Sequence, residues 1–179
     1  MNLQKFKSLV VAILTLSLSA LSHDAFATQD EAPQPQEVAS EEDGKFFNAD
    51  EQPVYKIQED GTVDWYTYSG FRRYHSECHV CHGPEANGST FAPALKDSLK
   101  SLTYDDFQEV VASGRERTLP DGSLSKMPAL GDNPNVWCYI DDIYVYIKAR
   151  SDGVLPPGRP GKRADKPATA KEYETDCRS

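Results

Sequence analysis

Residues 78–82 read Cys-His-Val-Cys-His, and no other stretch constrains the chain as tightly. Two cysteines three apart on a helical turn face the same way, and the residue after the second projects its imidazole from that turn. C-x-x-C-H is the attachment signature of a c-type haem. In that reading Cys78 and Cys81 carry the thioethers, His82 is the proximal iron ligand, and one covalent haem c is expected. Two other chemistries use a C-x-x-C pair. A zinc site wants a second ligand pair at similar spacing, and Cys138 and Cys177 stand alone. A thioredoxin-like redox pair follows a strand in a βαβ pattern, and none is legible here.

The first 27 residues carry the marks of a secretory signal peptide: Lys5 and Lys7, an apolar run from Ser8 to Leu21, and Ala25-Phe26-Ala27 as an A-x-A cleavage site. The run is shorter than the ~20 residues that span a bilayer, so export with cleavage after Ala27 is expected, with no membrane anchor left. Thioether attachment outside the cytoplasm agrees with this. Losing Lys5, Lys7 and Asp24 takes the net charge from −9 to −10, which argues against nucleic acid and against anionic membranes. With two cysteines given to haem, Cys138 and Cys177 remain as an even pair in an oxidising compartment. A disulfide between them is the expectation; two unpaired thiols are the alternative.

Residues 28–45, rich in Glu, Gln, Pro, Ala and Ser, read as a disordered acidic tail. Residues 46–155 read as the haem domain and 156–179 as an extended arm with a basic run (Arg159, Lys162, Arg163, Lys166) and no core of its own. Around Glu59-Asp60-Gly61 a β-hairpin is expected over Pro53–Trp65. A helix from Tyr66 to His79 leads into the motif, with Gly70, Tyr74 and Cys78 spaced four apart. Thr103 and Asp106 cap a helix over Tyr104–Ser113 that stops at Gly114. Arg115–Asp132 reads as loop. Asn133, with Pro134 after it, starts a last helix running through Trp137, Ile140, Ile143 and Tyr144 to about Ala149. The fold class expected is all-α, with a short β-hairpin before the first helix.

The second iron ligand follows by elimination. Met1 leaves with the signal, so Met127 is the one thioether of the mature chain, and Pro128 stiffens the loop that holds it. His75 and His79 lie too near His82 on the same segment to reach across the ring, His23 leaves with the signal, and Lys126 competes only at high pH. The Nδ1 proton of His82 needs an acceptor, for which the Pro93 carbonyl is the candidate. Iron with six ligands has no open position, which favours electron transfer over catalysis; no catalytic residues are expected.

These residues resemble a class I cytochrome c, in which a glycine and an aromatic precede C-x-x-C-H and a proline loop, a distal methionine and an aromatic terminal helix follow. Gly70, Tyr74, Cys78–His82, Pro93, Met127, Ile143 and Tyr146 match that pattern. The resemblance implies the class I fold, with first and last helices crossing through Gly70, Tyr74, Ile143 and Tyr146. The runs Tyr74–Gly83 and Asn133–Tyr144 are similar to those of the four-cysteine c-type cytochromes of methanol metabolism. That likeness covers roughly Val54 to Asp165, including the second cysteine pair. It implies a monomeric periplasmic electron carrier whose donor is a PQQ-dependent methanol or alcohol dehydrogenase, particularly the lanthanide type, and whose acceptor is a downstream cytochrome c or oxidase. The competing functions are a generic shuttle with another donor, a haem enzyme or gas sensor with a labile distal ligand, and a structural subunit of a larger complex.

Overall fold

A computed structural model of the chain describes residues 36–118 and 122–179, all within the unit Glu31–Ser179. The expected signal peptide and the first part of the acidic tail lie outside the described residues. Among them, strands are interspersed with helices, so the architecture is mixed rather than all-α. Strands β1 (Ser40–Glu42), β2 (Lys45–Phe47) and β3 (Pro53–Val54) form an antiparallel sheet in that order. Next come helices α1 (Trp65–Glu77), α2 (His79–His82), α3 (Leu95–Ser98) and α4 (Tyr104–Ser113). Strands β4 (Arg115–Thr118) and β5 (Leu124–Met127) pair with each other, and α5 (Pro134–Trp137), α6 (Ile140–Ser151) and α7 (Ala168–Cys177) complete the chain.

The frame is the crossing of α1 on α6. Gly70 makes it possible: a Cβ there would lie 1.7 Å from the Asp142 carbonyl oxygen and 2.9 Å from Tyr146 Cβ. The rings of Tyr74 and Phe71 then pack on Tyr146, with centroids 5.3 and 5.7 Å away. Ile143, Tyr146 and Ile147 are almost wholly buried in the core beside Tyr74. The crossing implied by the resemblance is therefore present. Helix α1 starts where Asp64 accepts from Thr67 N at 2.8 Å, and α4 carries the full Thr103–Asp106 capping box before Gly114.

Four expectations need correcting. Order begins before Phe46, because Asp43-Gly44, with φ of 50° and 76°, turns β1 back on β2; a two-residue Asp-Gly loop with both φ positive is a favoured hairpin turn. The hairpin expected over Pro53–Trp65 shrinks to a turn around Gly61 and one bridge, Ile57 to Val63, since Asp64 caps α1 and Pro53–Val54 pairs with β2 instead. The helix expected from Asn133 is two helices, interrupted at Cys138–Tyr139, where Tyr139 leaves helical geometry at φ −131° and ψ 20°. The C-terminal arm ends in α7, fastened by a Cys138–Cys177 disulfide.

The basic run is spent largely within the molecule. Ala164 N donates to Val63 O at 2.8 Å, and the Arg163 guanidinium lies 5.1 Å from the Trp65 and Tyr68 ring centres. Lys162 pairs with Asp60 and Lys166 with Glu174. No helix among the described residues is long and apolar enough to cross a membrane.

Candidate haem-attachment site

Helix α1 delivers the motif. Cys78 N donates to Tyr74 O at 2.8 Å, and His82 N donates to Cys78 O at 3.0 Å, so both cysteines and the histidine sit on one turn that continues α1. Gly83 then reverses the chain at φ +77°; a Cβ on it would meet Gly88 O at 2.5 Å. The loop that follows is stitched back to the motif. Gly88 N donates to His82 O at 2.8 Å, Tyr74 OH to Gly83 O, and Ser89 Oγ to Cys81 O. The same loop brings round Pro93, whose carbonyl oxygen accepts from His82 Nδ1 at 2.9 Å.

The chemistry of the donor set fits a covalent haem. Among the described residues, Cys78 and Cys81 are the cysteines outside the disulfide. Burial, with Glu77 and Cys81 adding to it, pushes the Cys78 thiol up to about 12. His82 is buried, and desolvation lowers its pKa against the opposing effect of the Pro93 carbonyl. Because a carbonyl oxygen can only accept, Nδ1–H is committed to Pro93, and Nε2 is the nitrogen turned to iron ligation.

Met127 is placed differently from expectation. It ends β5, opposite Arg115 in a paired hairpin, rather than sitting in an irregular loop. Neither Arg-Glu-Arg-Thr nor Leu-Ser-Lys-Met has an apolar alternation that would have announced a strand. Met127 is half-buried against the core, whereas Lys126, on the opposite face, is exposed and paired with Glu116 at 2.5 Å. The backbone past Met127 is tied to α4, with Leu130 N donating to Val111 O and Gly131 N to Ala112 O. His75 and His79 hold their Nδ1 atoms on the carbonyls of Phe71 and His75.

Two contributors were missed. Ser89 also accepts from Phe91 N at 3.0 Å, so one hydroxyl pins the loop at both ends; Asn87-Gly88 marked a turn but not this anchor. Glu85 accepts from Gly158 N at 2.9 Å and lies 3.6 Å from Arg150, whose guanidinium also donates to Leu155 O. Nothing local to Glu85 points to residues so distant in the chain.

An α1–α6 frame that crosses at a glycine and presents two unpaired cysteines and a buried histidine on one turn has the residues that thioether attachment of a haem requires. No protein-family model matches the chain. It is 53% identical over 138 residues to cytochrome c-553I of Paracoccus denitrificans, covering 77% of this chain and 61% of that protein. It is 44% identical over 97 residues to cytochrome c-555 of Methylococcus capsulatus, covering 54% of this chain and 72% of that one. The c-type cytochrome XoxG from Methylobacterium extorquens AM1 matches in structure with a TM-score of 0.72 at 53% identity, over 78% of this chain and 85% of its own. The chain belongs to the c-type cytochromes, whose cofactor is covalently bound haem c.

Proposed function

We propose that the chain is an exported, periplasmic single-haem electron carrier that accepts electrons one at a time from a PQQ-dependent methanol or alcohol dehydrogenase. It passes them to a downstream cytochrome c or oxidase. Cys78 and Cys81 would hold the haem through thioethers, and His82 and Met127 would supply its iron ligands. The observation that carries this reading is the buried His82 with Nδ1 on Pro93 O at 2.9 Å, in a c-type cytochrome whose half-buried thioether side chain sits on an anchored hairpin. Haem c supplies one-electron exchange at iron. The carbonyl of Pro93 fixes the tautomer and plane of His82 and makes its Nε2 a better donor. As an iron ligand, Met127 would raise the reduction potential relative to a nitrogen ligand and would leave no site for an external molecule.

Val80, Phe91 and Leu124, on the motif, the Pro93 loop and the Met127 strand, are apolar side chains that the polypeptide itself does not bury, which suits segments against which a haem would pack. The methanol-linked donor rests on the resemblance of Tyr74–Gly83 and Asn133–Tyr144 to the cytochromes of methanol metabolism.

Two experiments test the proposal. A pyridine haemochrome spectrum and the near-infrared spectrum of the oxidised protein should report covalent haem c and methionine–iron ligation; ferrous protein that binds carbon monoxide readily at neutral pH overturns the closed site. Purified methanol dehydrogenase with methanol should reduce this cytochrome faster than a generic one. Equal rates leave a carrier with another donor.

A further inference from the structure

Helix α1 continues through Cys78 into α2, so His75 and His79 stand one turn apart on the same face. Neither contributes to the His82 site. Their rings lie side by side, centroids 5.6 Å apart and planes inclined by 25°. Both are partly exposed. On its other side His75 packs against Phe71, with ring centres 4.2 Å apart, which limits how far it can swing away.

Each ring is also fixed in tautomer. His75 Nδ1 donates to Phe71 O at 2.8 Å, and His79 Nδ1 donates to His75 O. A ring that donates from Nδ1 keeps its lone pair on Nε2. Metal-bound histidines almost always donate their second nitrogen to a carbonyl or carboxylate, which orients the ring and raises its basicity. Here two adjacent rings already have that support, with no metal ligand role assigned to either.

We propose that His75 and His79 form a two-imidazole binding site for a late first-row divalent cation, of the Cu2+, Ni2+ or Zn2+ class. Nitrogen–metal bonds of about 2.0–2.1 Å place the centres of two neighbouring imidazole ligands about 4.5–5 Å apart. The observed 5.6 Å closes to that by small rotations about χ2, which is a soft torsion in histidine. Imidazole suits this group of metals, with Cu2+ bound most tightly in the divalent series. Among the described residues no group of three or more His, Cys, Asp or Glu is placed to hold an ion, so water completes the coordination and the ion stays exchangeable. The net charge of −9 favours cations near the surface.

The test uses the mature ferric holoprotein without a histidine tag. Calorimetric titration with Zn2+ and with Cu2+ should give one ion per chain. His75→Asn and His79→Asn should each weaken binding at least about tenfold, the loss typical of removing even an outer-sphere partner, while the haem absorption spectrum stays unchanged. Electron paramagnetic resonance of the Cu2+ complex of the unaltered protein should show coupling to two imidazole nitrogens. A double variant that binds as tightly as the parent, or a Cu2+ spectrum with one nitrogen or none, overturns the proposal.

Discussion

Gly70 is the residue on which the α1–α6 crossing turns. The atom a Cβ would strike, the Asp142 carbonyl oxygen 1.7 Å away, is backbone inside a helix and cannot step aside as a side-chain tip would. Gly70→Ala should therefore destabilise by more than the about 1–3 kcal/mol usual for overpacking, or prevent folding. Gly161, with nothing within 4 Å of its Cβ position, should tolerate alanine within about 0.5 kcal/mol; thermal melts of the two variants make the contrast. The neighbouring Asp142 carboxyl has its own signature. Burial pushes it up to about 7, and Asp141 and Asp64 add to this, while Ser69 and Lys45 oppose it. The folded state then holds a proton that the unfolded chain releases near pH 4, so this group's contribution to stability falls as pH rises from about 4 to about 7 and is flat above. Asp142→Asn should make that fall shallower and raise the melting temperature above pH 7. Some slope should survive, because burial also raises Asp64. A variant with an unchanged pH profile would show that Asp142 ionises freely in the fold.

At the scale of elements, α7 depends on a single covalent tie. The Cys138–Cys177 bridge spans a separation of 39 residues, and closing a loop of that size stabilises by about 4 kcal/mol in the chain-entropy model. Cys177→Ser should lower stability by an amount of that order in denaturant titrations and fray α7, with haem absorption retained because His82 and its loop lie elsewhere in the chain. Legibility in the sequence divides at this level too. Helix α4 could be read because apolar spacing, cap and stopping glycine agree with one another, and α1 from the spacing of Gly70, Tyr74 and Cys78 alone, since its cap Asp64 falls in the segment expected as hairpin. The β1–β2 hairpin could not be read, although Asp43-Gly44 carries the same turn chemistry as Asp60-Gly61. Ser-Glu-Glu in β1 is exposed throughout, so its pairing is by backbone alone and leaves no pattern. Strand β4 is likewise exposed throughout, and β5, with Leu124 exposed and only Met127 packed on the core, carries no apolar alternation either. The break before α6 comes from tertiary contacts, with Cys138 drawn into the disulfide and the Arg73 guanidinium 3.5 Å from the centre of the Tyr139 ring. Of the candidate site, Cys78, Cys81 and His82 stand out in the sequence as candidates because motif chemistry is local. The strand beneath Met127 does not.

Across the whole molecule, the haem motif is coupled to the C-terminal third through Glu85 and Arg150. Glu85 lies three residues after His82, on the loop that carries the Pro93 carbonyl. Its partners are Arg150 on α6 and the backbone of Gly158, and Arg150 in turn holds Leu155 O. Side-chain exposures of 7% for Arg150 and 19% for Glu85 place the pair where solvent screens it little. The two charges attract, but each loses hydration, so the intact pair contributes little net stability compared with an apolar pair of similar shape. Removing one partner is different, because it strands the other charge in the interior. Arg150→Met alone should cost about 3–5 kcal/mol, while Arg150→Met combined with Glu85→Gln should recover much of that loss. Denaturant titrations of the two single variants and the double variant complete the cycle. The loop also sets the acceptor for His82, so Arg150→Met should shift the reduction potential, and the double variant should return part of the shift. A stability loss with no change in potential would confine the pair to holding the C-terminal segment. A matched shift would make it the route by which that segment sets the proximal histidine.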